Sequence, residues 1–205
     1  WMGRTFPGVL WCRYADDGLV HCKTERQAQT VRAALEARLA ECGLELHPDK
    51  TRIVYCKDGS RKGQYSNTKF DFLGYTFRRR VVKNPKRNSL FVAFTPAVST
   101  SALKAMRQET RRRRFRNQSH LSLEDISRLY NPVLRGWLAY YGRFSPSAMY
   151  PVFRHFNKTL VAWARRKYKR LQRHKTRAGL FVEGISKRQP RLFVHWERGM
   201  SGSFA

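Results

Sequence analysis

Positive charge constrains this chain more than any other feature. Its 205 residues include 42 Lys and Arg against 14 Asp and Glu, which gives a formal net charge of +28. Charge of one sign repels itself in a compact fold unless anions bind, so a polyanion is the expected partner. Apolar residues make up 41% of the sequence and aromatic residues 13%, enough for a core. We therefore predict a folded nucleic-acid-binding protein rather than a disordered basic tail.

An anionic membrane is the alternative partner, and the sequence argues against it. The chain has no apolar run of about 18 residues and no signal peptide. Its four cysteines, Cys12, Cys22, Cys42 and Cys56, form no C-x-x-C pair. This spacing argues against a zinc site and is typical of reduced thiols in the cytosol. We expect a cytoplasmic protein that does not associate with membranes.

The charge is distributed unevenly along the chain. Residues 1–100 hold 18 basic and nine acidic side chains, whereas residues 101–205 hold 24 and five. The apolar pattern changes between Phe94 and Ser101. We therefore place a domain boundary there, with an α+β domain at 1–95 and an α-helical domain at 96–205.

The first domain is predicted to begin with a β-hairpin. Two short strands, Val9–Tyr14 and Leu19–Cys22, flank the tetrapeptide Ala15–Gly18, whose Asp-Gly pair is typical of tight turns. A helix is predicted from Thr24, with Gln27 completing a capping box, to Gly43. Three further strands are predicted, at residues 51–55, 70–77 and 90–94.

The second domain is predicted to be helical. The predicted helices cover residues 102–115, the segment from Ser122 to Gly142, and residues 150–171. Pro132 falls inside the second helix, which predicts a kink or a fresh start capped by Asn131. The helical pattern weakens after Lys175, and Leu192–Val194 is predicted to be a last strand or a packed tail.

Two adjacent carboxylates at the hairpin tip are the first candidate site. Asp16 and Asp17 are oxygen ligands of the type that divalent cations prefer, and phosphoryl transfer by the two-metal route needs such ligands close together. The alternative is that Asp-Asp-Gly is ordinary turn sequence without a function.

An ordered set of motifs carries a family resemblance. Tyr14-Ala15-Asp16-Asp17 resembles the catalytic hairpin of reverse transcriptases. Further segments resemble successive parts of group II intron reverse transcriptases and their maturase-specific domain: residues 24–42, 43–51, Phe72-Leu73-Gly74-Tyr75, 134–137, 140–142, 193–196 and 199–205. The resemblance implies a partial reverse-transcriptase palm, an antiparallel sheet with a helix, followed by an α-helical thumb and maturase domain.

The resemblance also implies roles for individual residues. Asp16 and Asp17 would hold two Mg²⁺ ions, and Lys50 would lie near the leaving pyrophosphate. The vicinity of the primer end and nucleotide would be formed by Tyr14, Ala15, Phe72, Leu73, Gly74 and Tyr75. The alternatives are a surface lysine at position 50 and core aromatic side chains at positions 72 and 75.

Parts of the family pattern are not found in these 205 residues. The fingers and the first half of the palm precede the hairpin in the family, and an earlier strand there supplies another metal-binding aspartate. Because strand-like sequence follows Trp1 almost at once, we expect an upstream portion to be missing and this chain alone to lack polymerase activity. No nuclease segment with paired Cys and His ligands follows, so DNA cleavage is not expected.

The basic helical half is the candidate RNA-binding surface. Arginine pairs with phosphate and stacks on bases, which favours RNA contact over a solvated charged face. Tyr140 lies off the apolar face of its helix and is predicted to stack on a base, whereas Trp137 and Tyr141 are predicted to be core. The predicted RNA-binding residues are Arg111, Arg112, Arg113, Arg114, Arg116, Arg135, Tyr140, Lys158, Arg165, Arg166, Lys169, Arg170, Arg173 and Lys175.

Taken together, the sequence predicts RNA-directed DNA synthesis by the intact protein, on an RNA template with a DNA primer. It also predicts binding of group II intron RNA to promote splicing and mobility. One alternative is a non-catalytic splicing or assembly factor that binds structured RNA and in which Asp16 and Asp17 are vestigial. Another is a ribosome-associated basic protein, against which the hairpin motif argues.

Overall fold

A computed structural model describes residues 1–84 and 86–201. The resemblance at residues 199–205 therefore lies partly outside the described residues. The chain forms two compact units. The first contains Trp1–Phe72 and Arg78–Phe94, and the second contains Leu73–Phe77 and the chain from Thr95 onward. The fold class is confirmed, because small antiparallel sheets are combined with a predominantly helical second half.

The first unit begins with a short helix and the predicted hairpin. Helix α1 (Met2–Thr5) is followed by strands β1 (Leu10–Tyr14) and β2 (Asp17–His21). The strands are antiparallel, with Leu10 opposite His21 and Tyr14 opposite Asp17. This register leaves Ala15 and Asp16 as a two-residue turn.

The turn differs from the predicted tetrapeptide. Ala15 has the positive φ of 49°, whereas Gly18 lies within β2 opposite Arg13. The prediction that Asp-Gly forms the turn is therefore wrong. Because Tyr14 pairs with Asp17, the loop consists of Ala15 and Asp16 only, and Ala15 takes the left-handed backbone conformation.

Helix α2 (Glu25–Glu41) confirms the predicted helix after the hairpin. Thr24 caps it, and its Oγ1 accepts from the Gln27 N–H at 3.1 Å. Gln27 Oε1 accepts from the Lys23 N–H at 2.7 Å. The Gln27 side chain therefore binds the residue before the cap, whereas the predicted capping box has it bind the N–H of Thr24 itself. Gly43, with φ of 67°, ends the helix as predicted.

The next strands differ from the prediction in two places. Residues 51–55 are irregular, so the predicted strand is wrong. The Tyr55 N–H donates to the Asn67 carbonyl at 2.9 Å, but residues 51–55 are not part of a described strand. The strand predicted at 70–77 is instead two strands, β3 (Lys69–Phe72) and β4 (Tyr75–Asn84). They are separated at Leu73 and Gly74, whose φ values of 49° and 76° reverse the chain. The strand predicted at 90–94 is confirmed as part of β5 (Ser89–Val98), and the sheet order is β3-β4-β5.

The helical half contains the three predicted helices with altered ends. Helix α3 (Thr100–Arg112) begins at the cap Ser99 and ends before Arg114, which has φ of 48°. Helix α4 (Leu123–Tyr141) begins after Ser122, as predicted, and has a capping box between Ser122 and Asp125. Helix α5 (Tyr150–Lys167) ends where Tyr168 becomes extended, four residues before the prediction.

Two predictions near Pro132 and the C-terminus are corrected. Helix α4 continues through Pro132, so Asn131 caps no new helix. Asn131 Nδ2 instead donates to the Leu192 carbonyl at 2.9 Å, and its Oδ1 accepts from the Val194 N–H at 3.2 Å. Two helices follow, α6 (Lys175–Arg188), which the sequence pattern did not reveal, and α7 (Val194–Glu197), which replaces the predicted last strand. The alternative prediction of a packed tail is confirmed by the burial of Phe193 and Trp196.

The core of the second unit is rich in aromatic side chains. Phe115, Phe153, Phe156 and Phe193 are fully buried, and Trp163 is nearly so. A polar group lies among them: Asn157 Oδ1 accepts from Trp196 Nε1 at 3.0 Å and lies 2.7 Å from His195 Nε2. Among the described helices, none has the length and apolar character needed to cross a bilayer.

Candidate catalytic hairpin and nucleic-acid interface

The hairpin presents both carboxylates to solvent. Asp16 is the second residue of the turn, and Asp17 is the first residue of β2. Both are exposed. Arg13 Nε donates to the Ala15 carbonyl at 2.8 Å, which adds a side-chain hydrogen bond across the turn. Asp16 and Asp17 are thus consecutive exposed residues at the tip of the hairpin.

Four further candidate residues, all in the first unit, have different surroundings. Tyr14 is exposed, and Ala15 occupies the left-handed turn position. Lys50 is exposed in a turn where the Thr51 N–H donates to the His47 carbonyl at 2.9 Å. Phe72 is half-buried at the end of β3.

The remaining three predicted primer-site residues lie in the second unit. Tyr75 is buried, and its hydroxyl donates to the Tyr140 carbonyl. Burial raises the pKa of the Tyr75 hydroxyl. In return, the Tyr140 hydroxyl donates to the Leu73 carbonyl at 3.0 Å. The Gly74 carbonyl accepts from the Ser99 N–H at 2.9 Å.

The arginine run at the end of α3, which consists of Arg111–Arg114 and Arg116, contains paired and unpaired residues. Arg112 Nε and Arg113 Nε lie 2.8 Å and 2.7 Å from the two carboxylate oxygens of Glu109. Hydrogen bonds from Arg112 and Arg113 lower the pKa of Glu109 to about 2. Arg113 also lies over the Tyr130 ring, 5.4 Å from its centroid. The exposed residues Arg111, Arg114 and Arg116 have no acidic partner among the described residues.

Glu109 was not among the predicted site residues, although its spacing from the arginines indicates the pairing. It precedes Arg112 and Arg113 by three and four residues, the spacing at which side chains meet on a helix. Because Arg112 and Arg113 pair with Glu109, only Arg111, Arg114 and Arg116 of the predicted RNA-binding arginines in this run lack an acidic partner among the described residues.

A series of basic residues, which we call the basic stripe, extends along the chain from α5 into α6. We define it by seven predicted residues: Lys158, Arg165, Arg166, Lys169, Arg170, Arg173 and Lys175. All are exposed except Arg165, which is half-buried and whose Nε donates to the Gln172 carbonyl at 3.3 Å. The Arg170 guanidinium lies over the Phe181 ring, 5.6 Å from its centroid. The remaining five are free to meet an anionic ligand.

Lys167, beside the basic stripe, has an internal role. Its Nζ donates to the carbonyls of Ser119 and Leu121 at 2.9 Å and 2.8 Å and lies over the Trp163 ring.

The two predicted RNA-binding residues of α4 differ in their surroundings. Arg135 is exposed. Tyr140 is half exposed, and its hydroxyl bond to Leu73 restricts the ring that was predicted to stack on a base.

Comparison with protein families accounts for both halves of the chain. The family described as reverse transcriptase (RNA-dependent DNA polymerase) matches residues 1–77, and the family described as group II intron, maturase-specific domain matches residues 103–179. The chain therefore combines a reverse-transcriptase segment with a group II intron maturase-specific segment. No curated protein and no solved structure shows a significant match to it.

The two matches divide the candidate residues between them. The reverse-transcriptase match contains the hairpin, Lys50 and the Leu73–Tyr75 turn. The maturase match contains the arginine run, Arg135, Tyr140 and the basic stripe. By family, the first segment is part of an RNA-directed DNA polymerase domain, and the second is an intron maturase domain.

Reverse transcriptases use Mg²⁺, and the hairpin fits that requirement in part. Mg²⁺ prefers carboxylate oxygens, which Asp16 and Asp17 present on adjacent residues. Within residues 1–84 and 86–201, however, no group of three or more His, Cys, Asp or Glu side chains is placed to hold a metal ion. The hairpin can therefore supply part of the ligand set for a two-metal site.

Proposed function

We propose that this chain binds group II intron RNA through the exposed basic surface of its maturase domain and thereby promotes splicing. The observation that supports this proposal is the shortage of acidic partners. Of the 24 basic side chains after Thr100, four form ion pairs within the described residues: Arg112, Arg113, Arg128 and Lys187. The unpaired cations need an external anion, and RNA supplies a dense row of phosphates.

The number of exposed cations in the basic stripe supports structured RNA as the ligand. Along the chain, the basic stripe passes from α5 through the connecting turn to the start of α6. Helix α6 begins without a side-chain cap, and its free backbone N–H groups lie beside Arg173 and Lys175. The surface thus suits successive phosphates of a folded backbone rather than a single small anion.

The hairpin supports a second role, in RNA-directed DNA synthesis. Asp16 and Asp17 would hold Mg²⁺, which when bound neutralises charge developing on the reacting phosphate. Lys50 would lie near the pyrophosphate. Tyr14, Ala15 and the Phe72–Tyr75 segment would lie near the primer end and the incoming nucleotide, with RNA as template and DNA as primer. Further metal ligands and the fingers would come from upstream segments of the polymerase.

Salt-dependent binding to a group II intron RNA tests the maturase role. We expect the triple variant Arg166→Gln, Lys169→Gln, Arg173→Gln to bind the intron much more weakly than the unsubstituted chain. The logarithmic salt slope should fall by about 0.7 to 0.9 for each RNA phosphate that the variant no longer neutralises. The matched control is Arg78→Gln, Arg79→Gln, Lys83→Gln, which removes three exposed cations from the first unit.

The control and a competitor RNA decide the outcome. If both triple variants lose the same affinity, or if an unrelated structured RNA competes equally, recognition is only general electrostatic attraction and the maturase role is contradicted. If the stripe variant alone loses intron affinity, the basic stripe is the binding surface.

The alternative is a non-catalytic RNA-binding splicing factor, favoured by the incomplete metal-ligand set among the described residues. The test is Asp16→Ala with Asp17→Ala in a longer chain that carries the upstream polymerase segments. We expect DNA synthesis to be abolished and intron affinity to stay unchanged. The control is Glu36→Ala with Glu45→Ala, which removes two exposed carboxylates from the same unit. Synthesis that persists without Asp16 and Asp17 would contradict the metal-site assignment.

A further inference from the structure

The turn between β3 and β4 is held by the C-terminal end of α4. The Tyr75 hydroxyl donates to the Tyr140 carbonyl, and the Tyr140 hydroxyl donates to the Leu73 carbonyl at 3.0 Å. The two bonds run in opposite directions between the same two segments. The rings of Tyr75 and Tyr140 are also in contact, with their centroids 5.4 Å apart. We call this arrangement of Leu73, Tyr75 and Tyr140 the tyrosine clasp.

Gly74 packs directly against the next tyrosine of α4. A Cβ atom at Gly74 would lie 3.0 Å from Cε1 and from the hydroxyl of Tyr141. The Gly74 carbonyl is held separately by the Ser99 N–H at 2.9 Å, at the cap of α3. The turn is therefore fixed by Tyr140, by Tyr141 and by Ser99.

The backbone of the turn explains why such support is needed. Leu73 has φ of 49° and Gly74 has φ of 76°. Glycine adopts this region readily, but a leucine with positive φ is strained and persists only where its surroundings hold it. The hydroxyl of Tyr140 reaches the carbonyl of that strained residue. Strain of this kind is concentrated where a backbone must be presented in one geometry.

We infer that Tyr140 and Tyr141 are positioning residues for the primer, because they hold the Leu73–Gly74 turn in the conformation that meets the primer end. The inference rests on the proposed polymerase function, which places this turn beside the primer. Tyr140 then acts through its hydroxyl, which binds the Leu73 carbonyl, and not by stacking on a base. Tyr141 acts by contact, since its ring fills the space that a side chain at position 74 would need.

The first test follows the turn itself in the 205-residue chain. Hydrogen exchange of the Ser99 amide reports whether Gly74 stays docked, because that amide donates to the Gly74 carbonyl. In Tyr140→Phe we expect Ser99 exchange to accelerate about fivefold, the effect of losing one ordinary hydrogen bond. The control is Tyr150→Phe, an exposed tyrosine of the same unit for which no hydroxyl hydrogen bond is described.

The second test measures primer extension by a longer chain that carries the upstream polymerase segments. We expect Tyr140→Phe to raise KM for the primer–template duplex about fivefold and to leave kcat and intron affinity nearly unchanged. Simple loss of folded enzyme would lower kcat at constant KM, so the two parameters separate positioning from stability. Tyr150→Phe should match the unsubstituted enzyme in both.

Each outcome decides the inference. If Tyr140→Phe matches Tyr150→Phe in both exchange and KM, the inference is overturned. Faster exchange with an unchanged KM would make the tyrosine clasp purely structural and would also overturn it. If the unsubstituted longer chain extends no primer, the proposed polymerase function fails and the primer role falls with it, whereas the exchange measurement still decides whether Tyr140 holds the turn.

Discussion

At the residue scale, the buried His195 beside Asn157 makes the stability of the second unit depend on pH. The Asn157 Oδ1 atom can only accept, so the His195 Nε2 must carry the proton and donate. The other ring nitrogen, Nδ1, is buried without a hydrogen-bond partner in the described part of the chain. Burial lowers the pKa of His195 to about 3, so the ring is neutral near pH 7.

The pKa of His195 predicts a loss of stability in mild acid. An unfolded histidine titrates near pH 6.5, so between about pH 6.5 and pH 3 the unfolded state binds the extra proton. The free energy of unfolding should therefore fall by about 2 kcal/mol from pH 7 to pH 5, measured by urea unfolding. His195→Gln should remove most of this pH dependence, whereas His120→Gln, at an exposed position, should keep it. Equal pH slopes in both variants would contradict the assignment.

Asn157 should be among the polar side chains most important for stability. It accepts from Trp196 and His195, and its Nδ2 donates to the Met200 carbonyl at 3.3 Å. Asn157→Ala would leave two buried donors unsatisfied, which costs about 1 to 3 kcal/mol for each. We expect urea unfolding to show a loss of about 2 to 5 kcal/mol, whereas the exposed Asn117→Ala should change stability by less than about 0.5 kcal/mol. A small effect at Asn157 would mean that water replaces its hydrogen bonds.

Single residues also show how far the candidate sites could be predicted. The hairpin that bears Asp16 and Asp17 was predictable from two short apolar segments on either side of a turn, although its turn residues were not. The pairing of Arg112 and Arg113 with Glu109 was available from helical spacing alone. The inward hydroxyl of Tyr140 was not, because its partner Leu73 lies 67 residues away and no local pattern reveals such a contact.

At the scale of elements, local signals predicted the helices with clear caps. Thr24 and Ser122 begin α2 and α4 as expected, because each cap satisfies backbone groups within the segment itself. Helix α6 was missed because its buried side is formed by Ala178, Val182 and Ser186, which carry a weak apolar signal. Its position is set by packing against the core, which the sequence pattern does not display.

Two glycines in different elements should respond oppositely to alanine. Gly74 has positive φ and contacts Tyr141, so Gly74→Ala should destabilise the second unit by about 1 to 3 kcal/mol. Gly136 lies within α4, and a Cβ atom added there would meet no atom of another element within 4 Å. Gly136→Ala should therefore stabilise the helix by up to about 1 kcal/mol. Thermal unfolding of both variants tests the pair, and equal shifts in Tm would contradict the described turn.

At the scale of the whole molecule, the excess of positive charge should make stability and RNA affinity respond to salt in opposite directions. With a net charge of +28, self-repulsion weakens the fold when no RNA is bound, and added ions screen that repulsion. We expect the free energy of unfolding to rise as NaCl increases from about 0.05 M to about 0.5 M, while affinity for RNA falls. Urea unfolding and RNA binding measured in the same buffers test this.

A charge-reduced variant provides the control. The triple variant Arg166→Gln, Lys169→Gln, Arg173→Gln should gain less stability from salt than the unsubstituted chain, because three repelling charges have been removed. A free energy of unfolding that stays constant or falls with NaCl would show that self-repulsion does not limit stability.

The way the C-terminal segment is anchored has a consequence for sequence drift. Asn131 holds the main chain at Leu192 and Val194, and Asn157 holds the carbonyl of Met200. Hydrogen bonds to backbone atoms do not depend on which side chain the anchored residue carries. Substitutions at positions 192 and 200 therefore leave these hydrogen bonds in place and act only through the packing of Leu192 and Met200 against the core, whereas the two asparagines on α4 and α5 have no such freedom.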